Sequence, residues 1–427
     1  MKSVTITPSK LNGSITLPPS KSLSHRAVIC AALAEGVSEI SNIGESEDIN
    51  ITIDAMTALG AVIKKEDKKL IIDGTNTLKI DKPLTINCGE SGSTLRFLIP
   101  IALHCDEDIT FTGLGRLPKR PLQPFFSLLD RHEISYKTVN GTLPVTIGSG
   151  DISGLIEIEG NISSQFISGL LLALPLFNFS SEIRVTTPLE SKGYIDMTID
   201  VMQKFGIEVS NNNYHTFKVH GAQRYKSANY IVEGDYSQAA FYLAAGALGS
   251  FVVCKGLEPD SKQGDKEIIN ILKQMGASVV IESDGIAAVP SKLRGCEIDA
   301  SQIPDLVPII AVLGTLAEGE TVIRNASRLR IKESDRLTAI AQQLNILGAT
   351  IIEKSDGLVI EGINSLSGGT VNSEKDHRIA MSLAIASTCC NEEIIIVESD
   401  CVKKSYPDFW KDFAMLGGKV DEWDMGE

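Results

Sequence analysis

Residues 344–351 read LNILGATI, and the glycine inside this stretch decides how the chain folds. An apolar helix-forming run stops at Gly348, where a left-handed residue is cheap, and an apolar run of β character begins. The same pattern recurs as MTALGAVI (56–63), MQKFGIEV (202–209), LKQMGASV (272–279) and FAMLGGKV (413–420), with LLDRHEISY (128–136) as a divergent member. The pivots Gly60, His132, Gly206, Gly276, Gly348 and Gly417 follow one another at about 70 residues, so the chain reads as six repeated units.

A second set of helices keeps the same period. It comprises SKSLSHRAVICAALA (20–34), SGSTLRFLIPIAL (91–103), SSQFISGLLLALPL (163–176), DYSQAAFYLAAGAL (235–248), DLVPIIAVLGTLA (305–317) and DHRIAMSLAIAS (376–387). Each is apolar nearly all round and rich in Ala and Gly, which predicts burial inside its unit. Each nevertheless starts polar, at Lys21, Ser91, Ser163, Asp235, Asp305 and Asp376. Strands such as KKLIIDG (68–74), LPVTIG (143–148) and DGLVIEG (356–362) alternate with turn signals, so the unit is a β/α module with helices inside and sheet outside. Helix N-termini are anion sites, and pseudo-symmetric units point equivalent ends the same way, which directs the six starts toward one shared cleft.

Composition bounds the rest. A chain of 427 residues, 43% hydrophobic, is expected to form two or more domains. The best places for the chain to cross between halves are Pro18–Pro19 and Glu233–Gly234, giving a discontinuous first domain, 1–19 plus 234–427, and a second, 20–233. The net charge of −14 argues against a general nucleic-acid surface. The start MKSVTITPSK lacks an apolar leader and no apolar run spans a bilayer, so a cytoplasmic protein without a membrane partner is expected. Eight cysteines without a CxxC pair or a Cys/His cluster read as free thiols, and no metal site is expected.

Against the acidic background, cations collect at helix starts. In LPPSKSLSHRA (17–27), Lys21 and Arg26 lie in or beside a first turn, where the helix dipole disfavours positive charge. GLGRLPKRPLQPF (113–125) carries Arg116, Lys119 and Arg120, and VKKSYPDFWKDF (402–413) has Lys403 and Lys404 ahead of a helix expected near Pro407. LRIKESDRLTAIAQQL (329–344) is expected to open a helix with Lys332, Glu333, Asp335 and Arg336, and Arg378 lies in the first turn of DHRIA. Singly, each cluster reads as a solvated face or an ion pair. Together with Arg96, at the start of another repeat helix, they describe a cationic cavity for a small, highly charged phosphate or carboxylate. Carboxylates in such a place repel the ligand unless they do chemistry or orient a donor, which singles out Asp305 and Glu333 for proton transfer. Asp235 and Asp376 read as caps or salt-bridge partners, and His25 and His377 as packing residues. NCGESGST (87–94) lacks the lysine of a P-loop, which argues against ATP hydrolysis.

These segments, with GESGSTLRFL (89–98), GNISSQFISGLLLALP (160–175), SKGYIDMT (191–198), QGDKEI (263–268), IPDLVP (303–308) and KKSYPDFW (403–410), resemble the enolpyruvyl transferase family, in the branch that takes shikimate 3-phosphate as acceptor. The resemblance implies two similar domains of three βαβαββ units each, an inside-out α/β barrel, with the active site in the cleft between them. It implies transfer of the enolpyruvyl group of phosphoenolpyruvate to the 5-hydroxyl of shikimate 3-phosphate in the shikimate pathway, by a monomer without a cofactor. It assigns Lys21, Ser22, Arg26, Ser163, Ser164, Gln165, Ser191, Asp305 and Lys332 to shikimate 3-phosphate. Lys21, Gly92, Arg120, Gln165, Arg336, Arg378 and Lys404 go to phosphoenolpyruvate, and Asp305, Glu333 and Lys21 to catalysis. Gly92 is the small residue that leaves room for glyphosate, implying sensitivity. Glu90 stands where the family commonly has Asn, Phe97 where it commonly has Pro, and RLRIKES lacks a frequent aromatic before its Lys-Glu pair.

Two other readings meet the repeat. A transferase acting on UDP-N-acetylglucosamine carries a reactive Cys in the loop before the Arg-Pro pair and an Asn after the first-helix Lys. Here GLGRLPKRP (113–121) has no Cys, and Ser22 follows Lys21. A repeat-built clamp or scaffold needs basic residues along its inner helices, whereas AVICAALA (27–34) and FISGLLLALPL (166–176) are apolar throughout.

Overall fold

A computed structural model describes residues 2–283 and 285–424. Among them twelve α-helices run in the order α1 (Lys21–Leu33), α2 (Glu47–Ala58), α3 (Gly92–Ala102), α4 (Gln123–Arg131), α5 (Ser164–Ala173), α6 (Lys192–Lys204), α7 (Tyr236–Ala247), α8 (Ile268–Gln274), α9 (Val307–Thr315), α10 (Arg336–Ile346), α11 (His377–Ser387) and α12 (Phe409–Met415). The even-numbered helices are the glycine-terminated ones. Gly60, Gly206, Gly276, Gly348 and Gly417 follow their last turns with φ between +80° and +102°. In the divergent unit the left-handed residue is Glu133 (φ +54°), one position beyond the expected His132, which ends α4 as its C-cap.

The odd-numbered helices are buried along nearly their whole length. All residues of α7, α9 and α11 are inaccessible, as is α1 from Leu23 onward. Being apolar on every side, they have no face to give to solvent and take the interior. Close approach between them needs glycine: at Gly169 in α5 a Cβ would collide with the Arg96 carbonyl of α3.

Among the described residues six four-stranded sheets share one order, a parallel pair followed by two antiparallel neighbours, which form a hairpin in five of the six. In the simplest unit Glu297–Asp299 pairs in parallel with Glu320–Arg324, which pairs with Gly357–Glu361 and through it with Thr350–Lys354. With α9 and α10 inserted this is βαβαββ. The alternating burial of the strands, as in Val37–Ser41, gives each sheet one inner and one solvent face.

The chain divides into two compact units, 1–18 with 234–427, and 19–233. Each has its own apolar core. The first unit is discontinuous because Asn12–Thr16 pairs in parallel with Phe251–Lys255, placing the whole 19–233 segment between neighbouring strands. Its last sheet is closed by the N-terminal strand Lys2–Thr7, sandwiched between Ile394–Val397 and Lys419–Asp424. The second unit closes in the same manner, with the late strand Asn229–Ile231 beside the early strand Val37–Ser41. None of the helices among the described residues is long and apolar enough to cross a membrane.

The close approach at Gly169 is testable. Gly169→Ala forces α3 and α5 apart and is expected to lower the unfolding free energy by about 1–3 kcal/mol, read from urea unfolding; a parental midpoint would show that the helices accommodate the methyl.

Candidate active site

In unit 19–233 the polar helix starts are capped by serines. Ser20 accepts the Leu23 N–H, Ser91 that of Thr94 and Ser163 that of Gln165. Lys21 opens α1, and its Nζ lies 2.8 Å from Asp48 Oδ2 on α2. Arg26 is turned inward: Nε reaches Thr198 Oγ1 (2.8 Å), Nη1 the Ser22 carbonyl (2.8 Å), and Nη2 both the Tyr194 carbonyl (2.9 Å) and Ser168 Oγ (3.4 Å). Burial pulls its pKa down to about 10, so it stays charged at neutral pH. Gln165 is oriented from both ends, its Oε1 accepting from Arg96 Nη1 (2.7 Å) and its Nε2 donating to Ser93 Oγ (3.0 Å). Ser191, ahead of α6, is buried in a left-handed conformation, φ +57° and ψ +49°. Such a conformation in a non-glycine residue marks backbone held by its surroundings. The Arg120 guanidinium packs on Gly92, where a Cβ would stand 2.8 Å from Nη1.

In the other unit the caps are aspartates: Asp235 for α7, Asp335 for α10 and Asp376 for α11. Asp235 and Asp376 thus fill the expected structural role, and Asp376 is also a salt-bridge partner. Because Asp335 caps Thr338, α10 begins at Arg336, and Lys332 and Glu333 lie in the preceding turn rather than on the helix as expected. Asp305 likewise sits in a short 3₁₀ turn, Pro304–Leu306, ahead of α9. Lys404 is buried at the end of a 3₁₀ turn, Ser399–Lys404, and the following helix starts at Phe409.

Arg336 organises this half. Its Nη1 donates to Asp305 Oδ1 (2.8 Å), its Nη2 to Glu333 Oε2 (2.8 Å), and its Nε to Asp376 Oδ2 (2.7 Å). Burial alone would lower the guanidinium pKa; Asp376, Glu333 and Asp305 outweigh it and push it above its ordinary value. Lys332 Nζ adds a contact to Asp305 Oδ1 (3.3 Å), and Arg378 Nη2 reaches Asp305 Oδ2 (3.2 Å) and Ser237 Oγ (3.1 Å). Burial opposes ionisation of Asp305, yet Arg378, Lys332 and Arg336 together hold its carboxyl well below the usual range. Burial also lowers the Lys332 pKa, against the pull of Asp305.

Each unit therefore gathers its own share of the expected residues. Lys21, Ser22, Arg26, Gly92, Arg120, Ser163, Ser164, Gln165 and Ser191 belong to one, and Asp305, Lys332, Glu333, Arg336, Arg378 and Lys404 to the other. Sequence reasoning missed Asp48 and passed over Arg96 as a partner of Gln165. The only local sign of Asp48 is an acidic first turn in EDINITID with a buried Thr52 one turn on.

Solved structures of the same architecture define the class. An EPSP synthase from Acinetobacter baumannii superposes with a TM-score of 0.83 over 99% of this chain and 100% of its own, at 27% identity. The enolpyruvyl transferase NikO from Streptomyces tendae shares the fold, with a TM-score of 0.79 over 99% of each chain at 18% identity. Sequence narrows the class: the family profile described as EPSP synthase (3-phosphoshikimate 1-carboxyvinyltransferase) matches residues 6–413, and the chain belongs to that family. Curated relatives named 3-phosphoshikimate 1-carboxyvinyltransferase include one from Clostridium perfringens, 55% identical over 98% of this chain and 99% of its own. Another, from Clostridium kluyveri, is 51% identical over the full length of both.

Two histidines, His25 buried and His104 partly buried, are expected to make unit 19–233 acid-sensitive. Burial drives His25 down to about 3, partly opposed by Asp48, and His104 down to about 4, partly opposed by its bond to the Ala173 carbonyl. Below pH 6.5 the unfolded chain takes up protons that the fold refuses. Stability is therefore fully present above pH 6.5 and falls as pH drops, by about 1.4 kcal/mol per unit for each histidine. Urea unfolding at pH 5 is expected to show a loss of about 2 kcal/mol per histidine relative to pH 7, and His104→Asn to remove part of that slope. An unchanged slope in this variant would exclude His104 as a source.

Proposed function

We propose that the chain transfers the enolpyruvyl group of phosphoenolpyruvate to the 5-hydroxyl of shikimate 3-phosphate, giving 5-enolpyruvylshikimate 3-phosphate and inorganic phosphate. The observation that carries this reading is the retention of two carboxylates, Asp305 and Glu333, among Lys332, Arg336 and Arg378. Cations alone would suffice to bind an anion; carboxylates kept beside them point to proton transfer. The names of the curated relatives support the same reaction.

In this reading Ser22, Ser163, Ser164, Ser191 and Lys332 hold shikimate 3-phosphate, with Arg26 offering the one guanidinium N–H left beyond its four bonds. Gly92, Arg120, Arg336, Arg378 and Lys404 hold phosphoenolpyruvate, and Lys21 and Gln165 serve both substrates. Asp305 begins as a weak base, because three cations stabilise its charge. The phosphate and carboxylate of phosphoenolpyruvate compete for Arg336 and Arg378. Every bond they draw away raises the proton affinity of Asp305, so the base strengthens as the anion arrives. Asp305 then accepts the 5-hydroxyl proton while the oxygen attacks C2 of phosphoenolpyruvate. Glu333, assisted by Lys21, delivers a proton to the methylene carbon, and a tetrahedral ketal phosphate forms. Glu333, left as a carboxylate, takes a proton back from the methyl group as the bond to phosphate breaks, which restores the double bond and completes the transfer. The arginines are already positioned when charge develops, so little reorganisation opposes the reaction.

Phosphate release, assayed with each acceptor offered in turn, is expected with shikimate 3-phosphate; release only with UDP-N-acetylglucosamine would overturn the reading. Asp305→Ala and Glu333→Gln are expected to bind both substrates while kcat falls by roughly 10²–10⁴-fold. Parental turnover in either variant would remove that residue from the scheme. Glyphosate is expected to inhibit with a constant below the millimolar range. Gly92→Ala, whose methyl would press on Arg120, is expected to raise KM for phosphoenolpyruvate and weaken that inhibition together; separate behaviour of the two would count against Arg120 as the shared contact.

A further inference from the structure

The ammonium of Lys21 sits at the positive end of α1, where the helix dipole repels it and its flexible stem would carry it into solvent. What opposes this is Asp48, whose Oδ2 is 2.8 Å from Nζ and whose side chain is only 7% exposed. Asp48 stands in the first turn of α2, a position that favours a carboxylate on its own account.

Beneath the pair runs a chain of buried polar groups. His25 Nδ1 is 2.7 Å from Thr52 Oγ1, which is 2.6 Å from Thr94 Oγ1, which donates to Ser91 Oγ at 2.8 Å. Thr52 Oγ1 also donates to the Asp48 carbonyl at 3.3 Å, which joins the backbone of Asp48 to the same chain. The chain links the starts of three helices: His25 is one turn into α1, Thr52 one turn beyond Asp48 on α2, and Ser91 caps α3 next to Gly92. The charges acting on His25 are those of Asp48 from α2 and of Lys21 and Arg26 from α1, while Arg96 and Arg120 stand near Gly92, beside Ser91.

We infer that Asp48 is a positioning residue for Lys21: it holds the ammonium at the start of α1, in fixed register with Gly92, from a bed formed by His25, Thr52, Thr94 and Ser91. The inference rests on the role proposed above for Lys21. A residue that acts through Lys21 loses its effect when Lys21 is gone, whereas one that only supports the fold does not.

The test is a double-mutant cycle of Asp48→Asn and Lys21→Met, read by kcat/KM for phosphoenolpyruvate and by calorimetric affinity for shikimate 3-phosphate. Asp48→Asn is expected to lower kcat/KM roughly tenfold or more in the parent, with an unchanged circular dichroism spectrum, and less than about twofold in the Lys21→Met background. The affinity cycle is expected to be non-additive in the same sense, which covers the case where turnover of Lys21→Met is too slow to compare. Equal fold-losses in both backgrounds, or no loss in the parent, would overturn the inference while leaving the role of Lys21 standing. Parental kcat/KM and affinity in Lys21→Met itself would overturn that role, and the inference with it.

Discussion

A guanidinium that has been taken out of water sets the terms for the unit that holds Asp305 and Glu333. Arg336 is 2% exposed, and an unpaired charge at such a depth would cost several kcal/mol. Three carboxylates meet it from three segments: Asp305 ahead of α9, Glu333 ahead of α10 and Asp376 at the cap of α11. Three acids around one cation would repel each other, and Lys332 and Arg378 restore the balance at Asp305. The resulting cluster, three carboxylates and three cations, ties the starts of three helices together without needing a substrate. In the proposed reaction the incoming anion does not meet bare positive charge; it competes with carboxylates already bonded to the same arginines.

The two units use one backbone plan for different chemistry. Serines cap the inner helices α1, α3 and α5, while aspartates cap α7 and α11. A serine cap satisfies the helix end without adding charge, leaving neutral donors and helix dipoles as the means of holding an anion. An aspartate cap brings a charge that recruits arginine, as Asp376 recruits Arg336. The proposed proton-transfer acids accordingly fall in the unit built on ion pairs, and the proposed hydroxyl ligands in the other. Lys21 is one of several cations in the serine-capped unit, beside Arg26, Arg96 and Arg120, and it is ion-paired. Its carboxylate partner comes from α2 rather than from its own cap.

Legibility followed the range of the interaction. The glycine pivots could be read because a left-handed C′ residue follows the last helical turn, and the inner helices because burial on all sides leaves no polar stripe. Errors arose where local chemistry competes over one or two residues. Glu133 takes the left-handed position expected of His132, since α4 has no glycine to mark its end. Asp335 caps α10 four residues later than the Lys-Glu pair suggested, because its side chain is free to accept the Thr338 N–H. The bond between Arg96 and Gln165, 69 residues apart, and that between Lys21 and Asp48, 27 apart, left no mark that spacing could reveal.

By itself, then, the amino-acid sequence determined the sixfold repeat, the helices-inside arrangement and the set of polar helix starts, because all three depend on periodicity and on groups a few residues apart. Tertiary structure alone decided which charges meet. It pointed Arg26 inward to Thr198 and the Tyr194 carbonyl, gave Asp305 three cationic neighbours, and placed Asp48 against Lys21. The reason is physical: helix propensity and capping act within a turn, whereas the energy of a buried charge is set by whatever the fold brings within a few ångströms of it.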